Sequence, residues 1–282
     1  MNAESRKGPW VSLVGQQWQP PVIDHDVPHP VRMWDYMIGG KDHYESDRVA
    51  VDYLATLWPN IFLSARAAEA YAERAAGWIA DGTGLTQFLQ LGCAIPLKTP
   101  LDGIVHDRVP GAPYVYVTDD PITAAHARAV LTARARGPLH IELGEFRDTE
   151  PILASERLNG LLDLSRPLGV MLIGMVDYTL STPRVRQSLL DLMAVLAPGS
   201  LVVVLHHLEF PPEIGRAVLG AMGENPAQFM PRSEQEVAAL FEGFEFVPPG
   251  LVRATDWMPD GKGPGHDLAE RCDKLGGVLI KR

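Results

Sequence analysis

The sequence predicts an α/β fold, a seven-stranded, mainly parallel sheet with helices on both faces and a helical segment ahead of it. Three observations carry this reading. From residue 85 onward, short apolar runs alternate with amphipathic stretches, the pattern of strands joined by crossover helices. The runs Val170-Met171-Leu172-Ile173 and Leu201-Val202-Val203-Val204-Leu205 are apolar without interruption, as strands buried on both faces are. The run 87–91 leads into the small-residue turn Gly92-Cys93-Ala94, and the next run, 114–118, ends in Asp119-Asp120. A strand, a tight turn, a connector and a second strand tipped with acid make a Rossmann-like nucleotide pocket.

Residues 1–30 hold Pro9, Pro20, Pro21, Pro28 and Pro30 with little periodicity, and read as an extended arm. Val31, Trp34, Met37 and Ile38 then fall at helical spacing until Gly39-Gly40 stops them. A polar cluster, 41–48, leads into a helix over 46–58 that Pro59 ends. A long alanine-rich helix over 63–80 follows, with Tyr71, Ala75, Trp78 and Ile79 on one face, closed by Asp81-Gly82-Thr83-Gly84. Residues 31–84 are thus expected to form a helical cover, and 85–282 the α/β domain. Within that domain the strands are expected at 87–91, 114–118, 139–143, 168–173, 200–206, 244–247 and 276–280. Helices are expected near 122–135, 184–196 and 233–241. The last two strands lie too close for a normal crossover helix, which predicts an antiparallel edge. The chain holds no internal repeat and no low-complexity tract.

Composition narrows the function. At 282 residues the chain can bury one large core, and 46% hydrophobic with 21% charged residues is ordinary for a soluble protein. A formal net charge of -10 and no basic patch argue against nucleic acid as partner, because phosphate contacts need clustered Lys and Arg. Two cysteines, Cys93 and Cys272, make no disulfide framework and fit a reducing compartment. The N-terminus shows no signal peptide, and no run reaches the ~18 apolar residues of a membrane span. A cytoplasmic location and a small-molecule substrate are the expectation, with room left for a homodimer.

Candidate site residues cluster at strand ends. Gly92 permits close backbone approach and Ala94 is nearly as small, though a turn of this kind also occurs in α/β folds that bind nothing there. Asp119 can accept from ribose hydroxyls, whereas Asp120 before Pro121 also reads as a plain helix cap. Glu145 follows the third strand as an adenine acceptor or a solvated loop acid. Asp177 and Tyr178 follow the fourth strand, where ligands bind in open α/β sheets, and read as acid–base groups or as surface loop. His206 and His207 end the fifth strand; with no other ligands at zinc spacing a metal is not expected, and one of the two should point into the packing. Cys93 has no visible partner base and reads as a small filler.

Longer motifs add a resemblance. The stretch from Val27 to Tyr44, with Val31-Arg32-Met33-Trp34-Asp35-Tyr36-Met37-Ile38-Gly39-Gly40-Lys41-Asp42-His43 at its heart, resembles the N-terminal signature of an actinobacterial family of S-adenosylmethionine-dependent methyltransferases. Gln87-Phe88-Leu89, 115–121, Phe146-Arg147-Asp148, 162–167, Ala197-Pro198-Gly199-Ser200 and 243–250 resemble it as well. The resemblance implies a class I methyltransferase fold that holds S-adenosyl-L-methionine. It gives Gln90, Gly92, Cys93 and Ala94 the methionine and ribose side, Thr118 and Asp119 the ribose hydroxyls, Glu145 the adenine, and Gly40 with its neighbours the cover.

The chain also departs from that pattern. Where the family has Asp-Ile-Gly-Thr-Gly, this chain has Gln90-Leu91-Gly92-Cys93-Ala94, so an acid facing the cofactor ammonium becomes an amide. The family's ribose acid falls on Thr118, its Asn-Val-His-Glu on Pro100-Leu101-Asp102-Gly103, its His-Phe on Asp177-Tyr178 and an Asn on His43. The long cover helix has lost an Asn and gained Ala68 and Glu69. Losing one charge-assisted contact forfeits about 1.5–3 kcal/mol. Three expectations follow: a methyltransferase acting on a small molecule in secondary metabolism, with Asp177, His43 or His206 as base; a repurposed cyclase or dehydratase using Asp177 and Tyr178; or a non-catalytic binding protein.

Overall fold

In the computed structural model the protein is described over residues 25–92, 100–119, 121–144, 146, 149–174, 176–178, 182–221, 230–258, 260, 268 and 272–282. Three helices come first, α1 (Pro30–Ile38), α2 (Glu45–Leu57) and α3 (Ile61–Ala80). The sheet then alternates with helices: β1 (Phe88–Leu91), α4 (Leu101–Arg108), β2 (Tyr114–Thr118), α5 (Pro121–Arg134), β3 (Leu139–Leu143), α6 (Thr149–Leu153), α7 (Glu156–Asn159) and β4 (Gly169–Ile173). After β4 come α8 (Thr182–Val195), β5 (Leu201–His207), α9 (Pro212–Ala221), α10 (Glu234–Leu240), β6 (Glu245–Phe246), β7 (Val252–Arg253) and β8 (Lys274–Ile280). The order across the sheet is β3-β2-β1-β4-β5-β8-β6, with β7 also paired to β8. Strands β1 to β5 run parallel, and β8 is antiparallel to β5, β6 and β7. The fold class expected from the sequence is the one observed, with β7 as a two-residue addition too short to leave a pattern.

Strand alternation sorts the core into two layers. On one face Phe88, Tyr114, Tyr116, Met171, Val203 and Val278 pack under α3, α4 and α5. On the other, Leu89, Leu91, Val115, Val170, Leu172 and Val202 pack under α6, α7, α8 and α10. A third cluster joins α1, α2 and α3 to α9 through Met33, Val51, Leu54, Ile61, Ile214 and Val218. The short helices α4, α6, α7 and α9 were not expected. The eight residues of α4 carry Gly103 mid-helix and Pro100 at the cap, so local propensity is weak; packing against α3 and the tie from Asp102 to Tyr116 hold it.

The polar N-terminal motif is wound around two buried carboxylates. Asp47 accepts from His29 N, Arg32 Nε and Tyr44 N, each at 2.8 Å. Burial is the largest influence and works against its charge, but the bonds from Arg32, Tyr44 and His29 hold the carboxyl below the ordinary range. Asp35, also buried, accepts from Asp42 N at 2.7 Å and lies 3.0 Å from His43 Nδ1. Gly40 presses onto that carboxylate: a Cβ there would stand 1.9 Å from Asp35 Oδ1, so no side chain fits.

Tyr71 locks α3 to the sheet. Its hydroxyl shares its proton between Val204 O at 2.8 Å and Gly277 O at 2.7 Å, carbonyls of residues paired across β5 and β8. Burial pushes the phenol above its usual range. The ring reaches this position because Gly276 leaves room, since a Cβ there would stand 2.6 Å from Tyr71 Cε2. Gly276→Ala should therefore cost about 1–3 kcal/mol by overpacking, and Tyr71→Phe about 1–2 kcal/mol by orphaning the carbonyls. Urea unfolding measures both; a Gly276→Ala protein with the wild-type midpoint would contradict the packing account.

Candidate active site

The strand order reverses between β1 and β4, and at such switch points open α/β sheets bind ligands beyond their carboxyl ends. At the end of β1, Gly92 takes φ +90°, a left-handed conformation, and its amide donates to Val117 O at 2.9 Å. Gln90 braces this turn. Its Nε2 donates to Gly92 O at 2.9 Å while its Oε1 accepts from Tyr114 Oη–H at 2.8 Å. The amide that replaces the resembled family's acid thus spends a donor and an acceptor inside the protein. At the end of β2, Thr118 is buried and Asp119 is exposed. At the end of β4, Gly174 has φ +68°, and a Cβ there would meet nothing within 4 Å among the described residues. Two left-handed glycine turns, the one at Gly174 open, beside an exposed carboxylate suit a nucleotide with ribose hydroxyls, so the donor set fits S-adenosyl-L-methionine. Cys93, Ala94, Asp120 and Glu145 lie outside the described residues.

Asp177 and His206 are brought together, but behind the crevice. Asp177 sits on a single 3-10 turn, Val176–Tyr178, and both its side chain and that of His206 are 1% exposed. Asp177 Oδ1 lies 3.0 Å from His206 Nδ1 and accepts from His207 N at 2.9 Å. Arg232 closes the network, donating from one terminal nitrogen to His206 Nε2 at 2.8 Å and to Val176 O at 3.1 Å, and from Nε to Thr182 Oγ1 at 3.1 Å. Because Nε2 accepts, the ring proton of His206 sits on Nδ1, facing Asp177 and the His207 carbonyl. Burial opposes the charge of Asp177, yet His206, His207 and Lys274 around it hold the carboxyl well below the usual range. For Tyr178 the structure describes the backbone position alone. His43 and Gly40 belong to the Asp35 turn, where the His43 ring packs 5.0 Å from that of Tyr36.

A pocket of about 60 Å³ opens at the ends of β5 and β8, beneath α1, α2 and α3. Its walls are apolar, with Trp34, Trp58, Ala65 and Phe210 among them, and its polar groups are His207 and Lys274. The Trp58 and Phe210 rings pack with centroids 4.8 Å apart. Lys274 Nζ lies 5.4 Å over the Trp34 ring and 3.0 Å from His207 Nδ1, and also contacts His207 Nε2. Burial lowers the affinity of Lys274 for its proton, against the pull of Asp273 and Asp177. Asp273 Oδ2 is 3.4 Å from His207 Nδ1, and both its carboxylate oxygens are buried without a hydrogen-bond partner among the described residues. Sequence reasoning noted the histidine pair but missed Lys274, Asp273 and the aromatic walls. The available signal was a charged Asp-Lys pair opening an otherwise apolar strand. Among the described residues no group of three or more His, Cys, Asp or Glu could hold a metal, and no helix is long and apolar enough to cross a membrane.

The lowered Asp177 carboxyl gives a stability that is fully present above the unfolded aspartate pKa of about 3.9 and lost as the pH falls through its lower folded value. Asp177→Asn should cost about 3–5 kcal/mol at neutral pH by stranding Arg232. That gap should narrow in acid, where the wild-type carboxyl is protonated too. Urea melts of both proteins across pH measure it, and a gap that widens toward acid would refute the assignment.

Comparison with known proteins agrees with this geometry. The model of a family described as S-adenosyl methyltransferase matches residues 16–282. A DUF574 family protein from Streptomyces avermitilis is 29% identical with a TM-score of 0.84, over 93% of this chain and 100% of that one. A candidate methyltransferase from Thermobifida fusca is 29% identical with a TM-score of 0.80, over 95% and 100%. The CurJ carbon methyltransferase, at 10% identity and TM-score 0.51 over 96% and 87%, shares the fold alone. No curated protein matches the chain. S-adenosyl-L-methionine is the cofactor of the matched family. With its family model spanning nearly the whole sequence and its strand order in agreement, the chain belongs to the S-adenosyl methyltransferase family.

Proposed function

We propose that the protein transfers the methyl group of S-adenosyl-L-methionine to a small molecule of secondary metabolism, seated in the pocket under the helical cover. The observation that carries this reading is the position of that pocket, on the same carboxyl edge of the sheet as the switch point. Its size suits a small acceptor, about 60 Å³ being room for the end of a small molecule. The negative charge of -10 speaks in the same direction, against nucleic acid.

When bound, the cofactor supplies an electrophilic methyl group. The chain's own part is to bind, orient and exclude water. On this reading Gly92, with Cys93 and Ala94, presents backbone to the cofactor, Asp119 takes the ribose hydroxyls, Glu145 the adenine, and Gln90 keeps the turn in shape. Thr118 stays in the wall behind Asp119. Gly40 and His43 shape the cover through Asp35. Asp177 and His206 act as positioning residues, holding the amide and carbonyl of His207 at the mouth of the pocket. Tyr178, by its chain position at the tip of β4, belongs to the acceptor side.

Calorimetric titration with S-adenosylhomocysteine tests the cofactor half. Binding is expected, and Asp119→Asn should weaken it by about tenfold through loss of a charge-assisted bond. Because Asp119 is exposed, the unfolding midpoint should stay as in wild type. Absence of heat at millimolar ligand with a folded protein would defeat the proposal.

A further inference from the structure

The polar end of the pocket holds more than a binding site needs. His207 stands between a carboxylate and an ammonium: Asp273 Oδ2 is 3.4 Å from Nδ1, and Lys274 Nζ contacts the other ring nitrogen, Nε2. Lys274 Nζ lies beside both ring nitrogens, 3.0 Å from Nδ1 and nearer to Nε2, and in the tautomer that accepts at Nε2 the ring proton sits on Nδ1, toward Asp273. Asp273 has both oxygens buried with no hydrogen-bond partner among the described residues, a costly state that an aligned Nδ1–H relieves. The remaining walls offer Trp34, Trp58 and Phe210, flat faces suited to an aromatic ring.

We propose that this pocket takes a phenol whose oxygen takes over the Lys274 ammonium from His207, so that His207 Nε2 is freed to accept the hydroxyl proton and Lys274 holds the phenoxide. This names the acceptor class and rests on the methyl-transfer reading above. In the step the O–H bond breaks, an N–H bond forms at Nε2, and the oxygen keeps the electron pair. A neutral ligand enters, and the two charges created each meet an opposite one already in place. The phenoxide faces Lys274, and the imidazolium faces Asp273.

Other acceptors fit less well. An aliphatic alcohol ionises near the ~15.7 of water, far above the ~6.5 of imidazole, whereas a phenol near 10 lies within reach of a base beside an ammonium. A protonated amine would put a second cation beside Lys274 in an apolar pocket. A carboxylate would leave the His207–Asp273 pair with no proton to take.

The probe is para-nitrophenol, whose phenoxide absorbs visibly, compared with para-nitroanisole, in which the hydroxyl is already capped. At a pH low enough to keep the free probe neutral, para-nitrophenol should bind with growth of the phenoxide band, and para-nitroanisole at least about tenfold more weakly. Lys274→Met should abolish the band. Ala65→Leu keeps every charge and fills the pocket from α3, so it should weaken para-nitrophenol by about tenfold even where Lys274→Met fails to fold. Equal binding of both probes, no binding of either, or para-nitrophenol bound as tightly by Ala65→Leu as by the wild type would overturn the proposal. S-adenosylhomocysteine calorimetry on the same samples separates the two readings. Cofactor binding without phenoxide sinks the phenol site alone, and phenoxide without cofactor binding leaves this site standing while methyl transfer fails.

Discussion

A carboxylate taken out of water at the end of β4 organises the carboxyl edge of the sheet. Asp177 has three kinds of partner: the His206 imidazole, the His207 amide and, through His206, the Arg232 guanidinium. The two histidines end β5 and the guanidinium lies in 230–232, so one buried charge fixes the 3-10 turn after β4, the end of β5 and the strand-like segment 230–232 at once. That segment bonds to the end of β5 through Arg232 N to His207 O at 3.3 Å and Glu209 N to Arg232 O at 2.8 Å, and to the 3-10 turn through Met230 N to Asp177 O at 2.6 Å. An isolated buried carboxylate would be prohibitively expensive; with these bonds it becomes a fixed point. The pocket inherits its geometry from that point, because His207 enters it from a backbone that Asp177 holds.

The N-terminal helices α1 to α3 are attached by the same means. Their polar motif carries Asp35 and Asp47, which fold the chain back on itself around α1, while Met33, Val51, Leu54 and Ile61 press the result onto α9. Tyr71 then sets how α3 sits over β5 and β8, with Gly276 as the space it needs. These helices and the sheet therefore share a common base, and the pocket lies where the two meet.

Much of the fold was legible because its signals are local. Strands β2, β4 and β5 are apolar runs of five to seven residues bounded by Gly, Pro or acid, and the covering helices have clear stops at Gly39 and Pro59. Helices α4 and α9 were missed because Gly103, Gly215 and Gly220 dilute their patterns, and their stability comes from neighbours far along the chain. At the site, the pair His206-His207 was visible, and strand alternation required that the two face opposite ways. Which one turned inward depended on Arg232, 26 residues later, whose partnership with His206 no local pattern announces.

What the sequence alone determined is the class of fold, the strand–turn–strand–acid edge and the resemblance to a methyltransferase family, since these rest on periodicity and short motifs. What the tertiary structure decided is the use of each polar residue. Gln90 stands where an acid was expected and is consumed by Gly92 and Tyr114; Asp177 lies at a ligand-binding edge and is sealed behind it. Lys274, unremarked in the sequence, becomes the buried ammonium of the pocket because β8 runs antiparallel and delivers its first residue to the carboxyl edge. A side chain's chemistry depends on its partners, and here those partners come from distant segments, His207 and Lys274 being 67 residues apart and Tyr71 and Gly277 being 206 apart.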